Sequence, residues 1–174
     1  MAKGSGGTRG AGGGAGSGSR GLKRALSARM KEIQKSDDEH VSIFDANGKE
    51  LFKADGNEKS VSFDDDLAKN HITVHNHPGD STFSYDDIEA AVSTNQKEMH
   101  VITQSGSVYS LKRPKKGWGI STQKLQEVTN DVGWKVSEKI GKSGKNISMD
   151  EAVHMQWQAL SKKLGWSYSK TKLK

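Results

Sequence analysis

The sequence predicts an α/β (α+β) domain followed by a two-helix C-terminal extension. Three observations carry this. The hydrophobic period switches repeatedly between that of a helix and that of a strand along residues 22–112. Asn47-Gly48 lies between two short β-prone runs, a strong hairpin signal because both central positions of the tight turn favour φ > 0. Leu125, Val128, Val132, Val136 and Ile140 form one unbroken helical stripe.

Met1 to Gly21 holds half of the chain's 20 glycines, together with serines and two arginines. Such a stretch buries too little apolar area to offset the entropy of ordering, so disorder is expected. Leu22, Leu26, Met30 and Ile33 then predict an amphipathic helix ending near Lys35. "HVSIFDANGKELFKADG" is the hairpin, "KSVSF" a further strand candidate, and "DDDLAKN" a short helix with an acidic start. "HITVH" is a strand. "SYDDIEAAVSTNQ" reads as a helix with Ser84 at the N-cap, carboxylates in its first turn, and Ile88, Ala91 and Val92 on one face. "MHVITQ" and "SVYSLK" are two strands joined at Ser-Gly, and Pro114 closes the unit. Beyond a Gly/Lys linker come the stripe helix and a last helix with Ser148 and Glu151 as its capping box. The last helix carries Val153, Trp157, Leu160 and Leu164 and stops at Gly165. The expected division is a tail over 1–21, a domain over 22–116 and a helical extension over 117–174.

With no cysteine, disulfides and thiolate metal sites are excluded, and a reducing compartment is expected. No apolar run approaches the roughly 18 residues of a membrane span, and glycine stands where a signal peptide would be apolar. The expectation is a soluble, cytoplasmic protein without membrane partners. A net charge of +6 permits contact with nucleic acid, but the lysines are spread along the chain and serve solubility equally well.

The chemistry-bearing stretch is "HITVHNHPGDSTFSYDD", His71 to Asp87. His75 and His77 are two apart, so a strand puts both imidazoles on one face. Pro78 has no N–H for the ladder and ends the strand there. Two histidines and one carboxylate leave a fourth tetrahedral position for water, the arrangement of catalytic zinc sites. Asp87, one turn into the next helix, could supply the carboxylate. Ser84 and Asp87 are also spaced as a capping-box variant, so a plain turn beside a helix cap explains the same residues. His40, His71, His100 and His154 are scattered and read as surface or packing residues.

His75-x-His77-Pro78 followed by Ser84-x-x-Asp87 resembles the motif of JAB/JAMM (MPN-type) metallopeptidases, and the wording around it is most similar to RadC-like and phage-type variants. The resemblance spans about Ser36 to Pro114. It implies a mixed sheet flanked by helices, with Zn2+ held by His75, His77 and Asp87. It further implies that Ser84 assists the oxyanion and that an upstream glutamate is the general acid/base. Glu39, just before the first strand, occupies the expected place and shares the side of Val41 and Ile43; Glu50 on the return strand is the competitor. The stretch from His77 to Ser84 is one residue shorter than the family's, which keeps Asp86 as an alternative to Asp87.

The activity implied is hydrolysis of a peptide or isopeptide bond in a peptide or protein substrate. Two other functions compete. One is a non-catalytic assembly module bound to phage structural proteins, cytoplasmic or virion-associated, which the helical tail ending "LGWSY" loosely resembles. The other is a RadC-like DNA-associated protein.

Overall fold

The computed structural model of the chain describes residues 15–174. The expected disorder of residues 1–14 therefore lies outside the described residues. Residues 15–21, expected in the same tail, instead open helix α1 (Ala15–Ile33). The reason is tertiary. The glycines that lower helix propensity also let α1 lie on the turn between β1 (His40–Phe44) and β2 (Glu50–Asp55). A Cβ on Gly21 would stand 2.9 Å from the Asn47 carbonyl oxygen, and one on Gly48 would meet the Gly21 backbone at 2.9 Å.

The hairpin is present with a different turn. Of the Asn47-Gly48 pair only Gly48 has positive φ (91°), and the Asp45 N–H bonds the Lys49 carbonyl at 3.0 Å across a longer loop. Gly48→Ala is expected to destabilise the protein by about 1–3 kcal/mol, since both the left-handed backbone and the Gly21 contact oppose a side chain. A lowered urea midpoint with unchanged slope would show it.

Helix α2 (Asp65–Ala68) is capped by Asp64, and β3 (Ile72–His77) follows. Helix α3 (Tyr85–Ser93) crosses to β4 (Glu98–Thr103), which runs parallel to β3; β5 (Ser107–Lys112) returns antiparallel. The two expected C-terminal helices are α4 (Thr122–Ser143) and α5 (Met149–Leu164). Ser148 caps α5 by accepting from the Glu151 N–H, and Gly165 ends it at φ 72°.

Two expectations change. "KSVSF" forms no strand: Asn57 accepts bonds from the Lys59 and Ser60 N–H groups, a turn that occupies the backbone there. The residues after Gly165, read as the end of a helical tail, form β6 (Ser167–Lys172), which pairs antiparallel with β5 from Ser107↔Lys172 to Lys112↔Ser167. The extension is thus two helices and a strand that returns to the sheet.

The sheet is mixed and six-stranded, in the order β2-β1-β3-β4-β5-β6. Each face has its own core. On one, Leu26, Met30 and Ile33 of α1 pack on Phe44, Ile72, Val74, Ile102 and Val108. On the other, α3, α4 and α5 cover Met99, Val101, Tyr109 and Leu111. Both faces of β3 and β4 are therefore buried, as expected of the parallel pair at the centre of a layered sheet. The ends of β1 and β3 nearest Glu39 and His77 open onto the α3 side, and the candidate site lies there.

Candidate metal centre

His75 lies opposite Val41 of β1 and Val101 of β4, so its imidazole stands on the α3 face; His77, two residues on, shares that face. Ser84 is the N-cap of α3. Its Oγ accepts from the Asp87 N–H at 3.1 Å, and its own N–H donates to Asp87 Oδ2 at 2.7 Å. This is the capping box suspected from the sequence, with Asp87 at the third helical position. The box does not compete with a metal role. It turns the Asp87 carboxylate back over the helix start towards the two imidazoles.

The three donors converge. His75 Nε2 and His77 Nε2 are 3.2 Å apart, His75 Nε2 lies 3.2 Å from Asp87 Oδ1, and His77 Nε2 lies 3.4 Å from Asp87 Oδ2. Ligand atoms at about 2.0–2.1 Å from a tetrahedral ion stand about 3.3 Å from one another. The imidazole pair meets that separation, each imidazole has one Asp87 oxygen near it, and one ligand atom from each of the three residues lies within 4.8 Å of the other two. Both imidazoles are buried, and Asp87 is mostly so. His77 Nδ1 lies 3.3 Å from the Ser81 carbonyl oxygen. A bond donated from Nδ1 leaves the Nε2 lone pair for a metal. Asp86, kept as the alternative to Asp87, is exposed and outside the cluster. His75, His77 and Asp87 are the group among the described residues that could hold a metal ion.

Electrostatics bind the cluster together. Burial alone would push the Asp87 carboxyl up, but the charge and hydrogen bonds of His75 and His77 hold it well below the usual carboxylate range. Burial pulls His77 down; the hydrogen bond and charge of Asp87, with the charge of Glu39, more than reverse this and raise it. Glu39 is raised chiefly by burial, against the pull of His77 and His75. Glu39 thus feels the histidines, and it lines a cavity of about 460 Å³ together with His77, Ser84 and Asp87.

Glu50 is elsewhere. It pairs with Phe44, whose side chain packs under α1, and its carboxylate is 4.0 Å from Arg29 Nε on that opposite face. Of the two glutamates, Glu39 is the one brought to the cluster. The scattered histidines also stay away: His40 bonds Asp55 at 2.6 Å, His71 the Leu67 carbonyl at 2.7 Å, His100 Ser110 at 2.7 Å and His154 Tyr168 at 2.8 Å.

Asn76, between the two histidines, is a site residue that motif reading passes over. The β1–β3 ladder stops at Val41↔His75, and beyond it the Asn76 carboxamide bridges the diverging strands. Its Oδ1 accepts from the His40 N–H at 2.7 Å and its Nδ2 donates to the Asp38 carbonyl at 2.9 Å. Both partners flank Glu39, so a fully buried side chain fixes the backbone on either side of the glutamate. The usable sequence signal is the carboxamide itself, able to give and accept at the end of a strand.

Ser84 Oγ donates to Asp87 Oδ2 at 2.8 Å, so its proton is engaged within the capping box. Val61 and Phe63, from the stretch expected as a strand, wall the cleft beside Glu39 and His75.

The chain matches no protein-family model, no curated protein and no solved structure. Fold and cluster define its class: a mixed α/β protein with a six-stranded sheet and a histidine–carboxylate group able to hold a metal ion. No helix among the described residues is long and apolar enough to cross a membrane.

Proposed function

We propose that the protein is a zinc-dependent metallohydrolase that cleaves amide bonds in a peptide or protein, in the manner of the JAB/JAMM peptidases. The observation that carries this is the placement of Glu39 with His77 and Asp87 in one open cavity and with His75 and Asp87 in a small adjoining cleft. A purely structural metal site needs no such carboxylate. Its donors are two imidazoles and one carboxylate, a set that suits zinc and leaves a tetrahedral position open.

Bound zinc supplies a Lewis acid and lowers the pKa of water at the site. The remaining work falls to side chains. Glu39 accepts a proton from the attacking water and delivers it to the leaving nitrogen; its raised affinity for protons suits both halves of that transfer. Asn76 keeps Glu39 aimed into the cleft by holding Asp38 and His40. Ser84 offers its hydroxyl to the developing oxyanion once that proton is released from Asp87. Val61 and Phe63 shield Glu39 from bulk water on one side.

Zinc and protons compete for His77. The hydrogen bond and charge of Asp87 raise His77 above the ordinary imidazole value, so zinc has a proton to displace up to a higher pH than at a free imidazole, and zinc affinity is expected to climb as pH rises. The expected slope is about tenfold per pH unit for each proton displaced. Chelator competition at a series of pH values measures it, and a flat profile between pH 6 and pH 8, as about the range probed, contradicts it. The activity is tested by incubating the zinc-loaded chain with a diverse peptide library and reading new termini by mass spectrometry. Cleavage that needs zinc supports the assignment; a zinc-loaded protein that cuts nothing overturns it.

A further inference from the structure

The Phe83–Ser84 peptide group is held at both ends. Its N–H donates to Asp87 Oδ2 at 2.7 Å. Its carbonyl oxygen accepts from Trp157 Nε1, on α5, at 2.8 Å. Both Trp157 and Phe83 are buried, so the indole N–H and the carbonyl have no exchange with bulk water to compensate for a lost bond. The peptide plane is rigid, so anchoring its oxygen also aims its N–H. The same bond polarises the amide and strengthens the N–H as a donor to the carboxylate.

A second brace lies one residue earlier. Tyr168 of β6 has its hydroxyl 3.2 Å from Thr82 Oγ1 and 2.8 Å from His154 Nδ1. The front of the same loop is tied to the sheet instead, where Asp80 Oδ1 accepts from the Ser105 N–H at 2.8 Å, while a side chain at the neighbouring Gly79 would meet open space. The rear of the loop therefore takes its position from α5 and β6.

We propose that Trp157 is a positioning residue for the metal centre, acting through the Phe83–Ser84 peptide group on the Asp87 carboxylate. The C-terminal unit, which has no catalytic motif of its own, is thereby part of the site's construction. This inference rests on the reading of His75, His77 and Asp87 as zinc ligands.

The chain contains its own controls. Trp118 Nε1 donates to the Gln96 carbonyl at 3.1 Å and Trp166 Nε1 to the Trp118 carbonyl at 3.0 Å. These are the same kind of bond, equally buried, but neither carbonyl belongs to a residue next to a ligand. The experiment compares zinc dissociation constants of the full chain, Trp157→Phe and Trp166→Phe by chelator competition, with unfolding of the metal-free proteins as the structural readout. Groups that directly support metal ligands contribute about 10–100-fold to affinity, and Trp157 acts one bond further out. Trp157→Phe is therefore expected to weaken zinc about five- to tenfold, and Trp166→Phe less than about twofold, although both lower the unfolding midpoint. Equal effects of the two variants on zinc affinity overturn the proposal. If the full chain binds no zinc, the metal centre itself falls, and this inference with it. A measurement without substitution guards against a variant that does not fold. Zinc added to the 15N-labelled chain should shift the Trp157 indole resonance and leave those of Trp118 and Trp166 in place; an unmoved Trp157 resonance contradicts the coupling.

Discussion

His75→Ala/His77→Ala is expected to reduce bound zinc from about one ion per chain to none, because one carboxylate does not hold zinc alone. The two imidazoles are buried against Asp87, 3.2 and 3.4 Å away, so they are not replaced by other donors nearby. The loss has a second readout. At about 100-fold excess of zinc over its dissociation constant, binding stabilises the native chain by about 2.7 kcal/mol, an upward shift of about 5–10 °C for a chain of this size. That shift should vanish in the double variant, while the metal-free form still unfolds cooperatively. Equal zinc content in the variant and the unaltered chain would remove the metal centre.

Glu39→Gln should separate binding from chemistry. The carboxamide keeps the shape of the side chain but cannot take a proton. Turnover is expected to fall about 10²–10⁴-fold with zinc content unchanged. Glu50→Gln is the matched control: its carboxylate sits beside Arg29 on the far face of the sheet, so activity should stay near that of the unaltered chain. The comparison needs only an established zinc-dependent cleavage. If Glu50→Gln is the silent enzyme and Glu39→Gln the active one, the assignment of the base is reversed.

What separates the legible from the illegible residues is sequence distance. His75 and His77 share a face because a strand has a period of two, and Ser84 meets Asp87 because a helix cap reaches three residues on. These are local rules, so the two imidazoles and a carboxylate near them could be read as candidate donors, and the resemblance to the JAB/JAMM motif implied the full set. The shorter loop before Ser84 left Asp86 open, and the capping box decided for Asp87. Glu39 is 36 residues before His75, and only the β1–β3 pairing with Val41 opposite His75 brings it to the cluster. The family's element order ranks it over Glu50, with strand alternation in support, but the face that α1 covers was needed to place Glu50 elsewhere.

For residues 15–21 the glycine-rich composition points the wrong way, because composition reports the cost of ordering a segment and not the contact that offsets it. Helix α1 starts at Ala15 against the hairpin turn, a contact about 30 residues away in the chain that no local pattern encodes. β6 was missed for a related reason. "SYSKTK" is an edge strand, mostly exposed, without hydrophobic alternation, and the backbone bonds that hold it to β5 leave no trace in the side-chain pattern. The sequence by itself thus determined most of the elements between Leu22 and Leu164 and the pairing of His75 with His77 and of Ser84 with Asp87, since these follow from spacings within one turn or one strand. Only the tertiary structure decided which glutamate faces those donors, that Asn76 secures it, and that Trp157 braces the loop between them, because each of these depends on which distant backbone groups the sheet and its helices bring within one hydrogen bond.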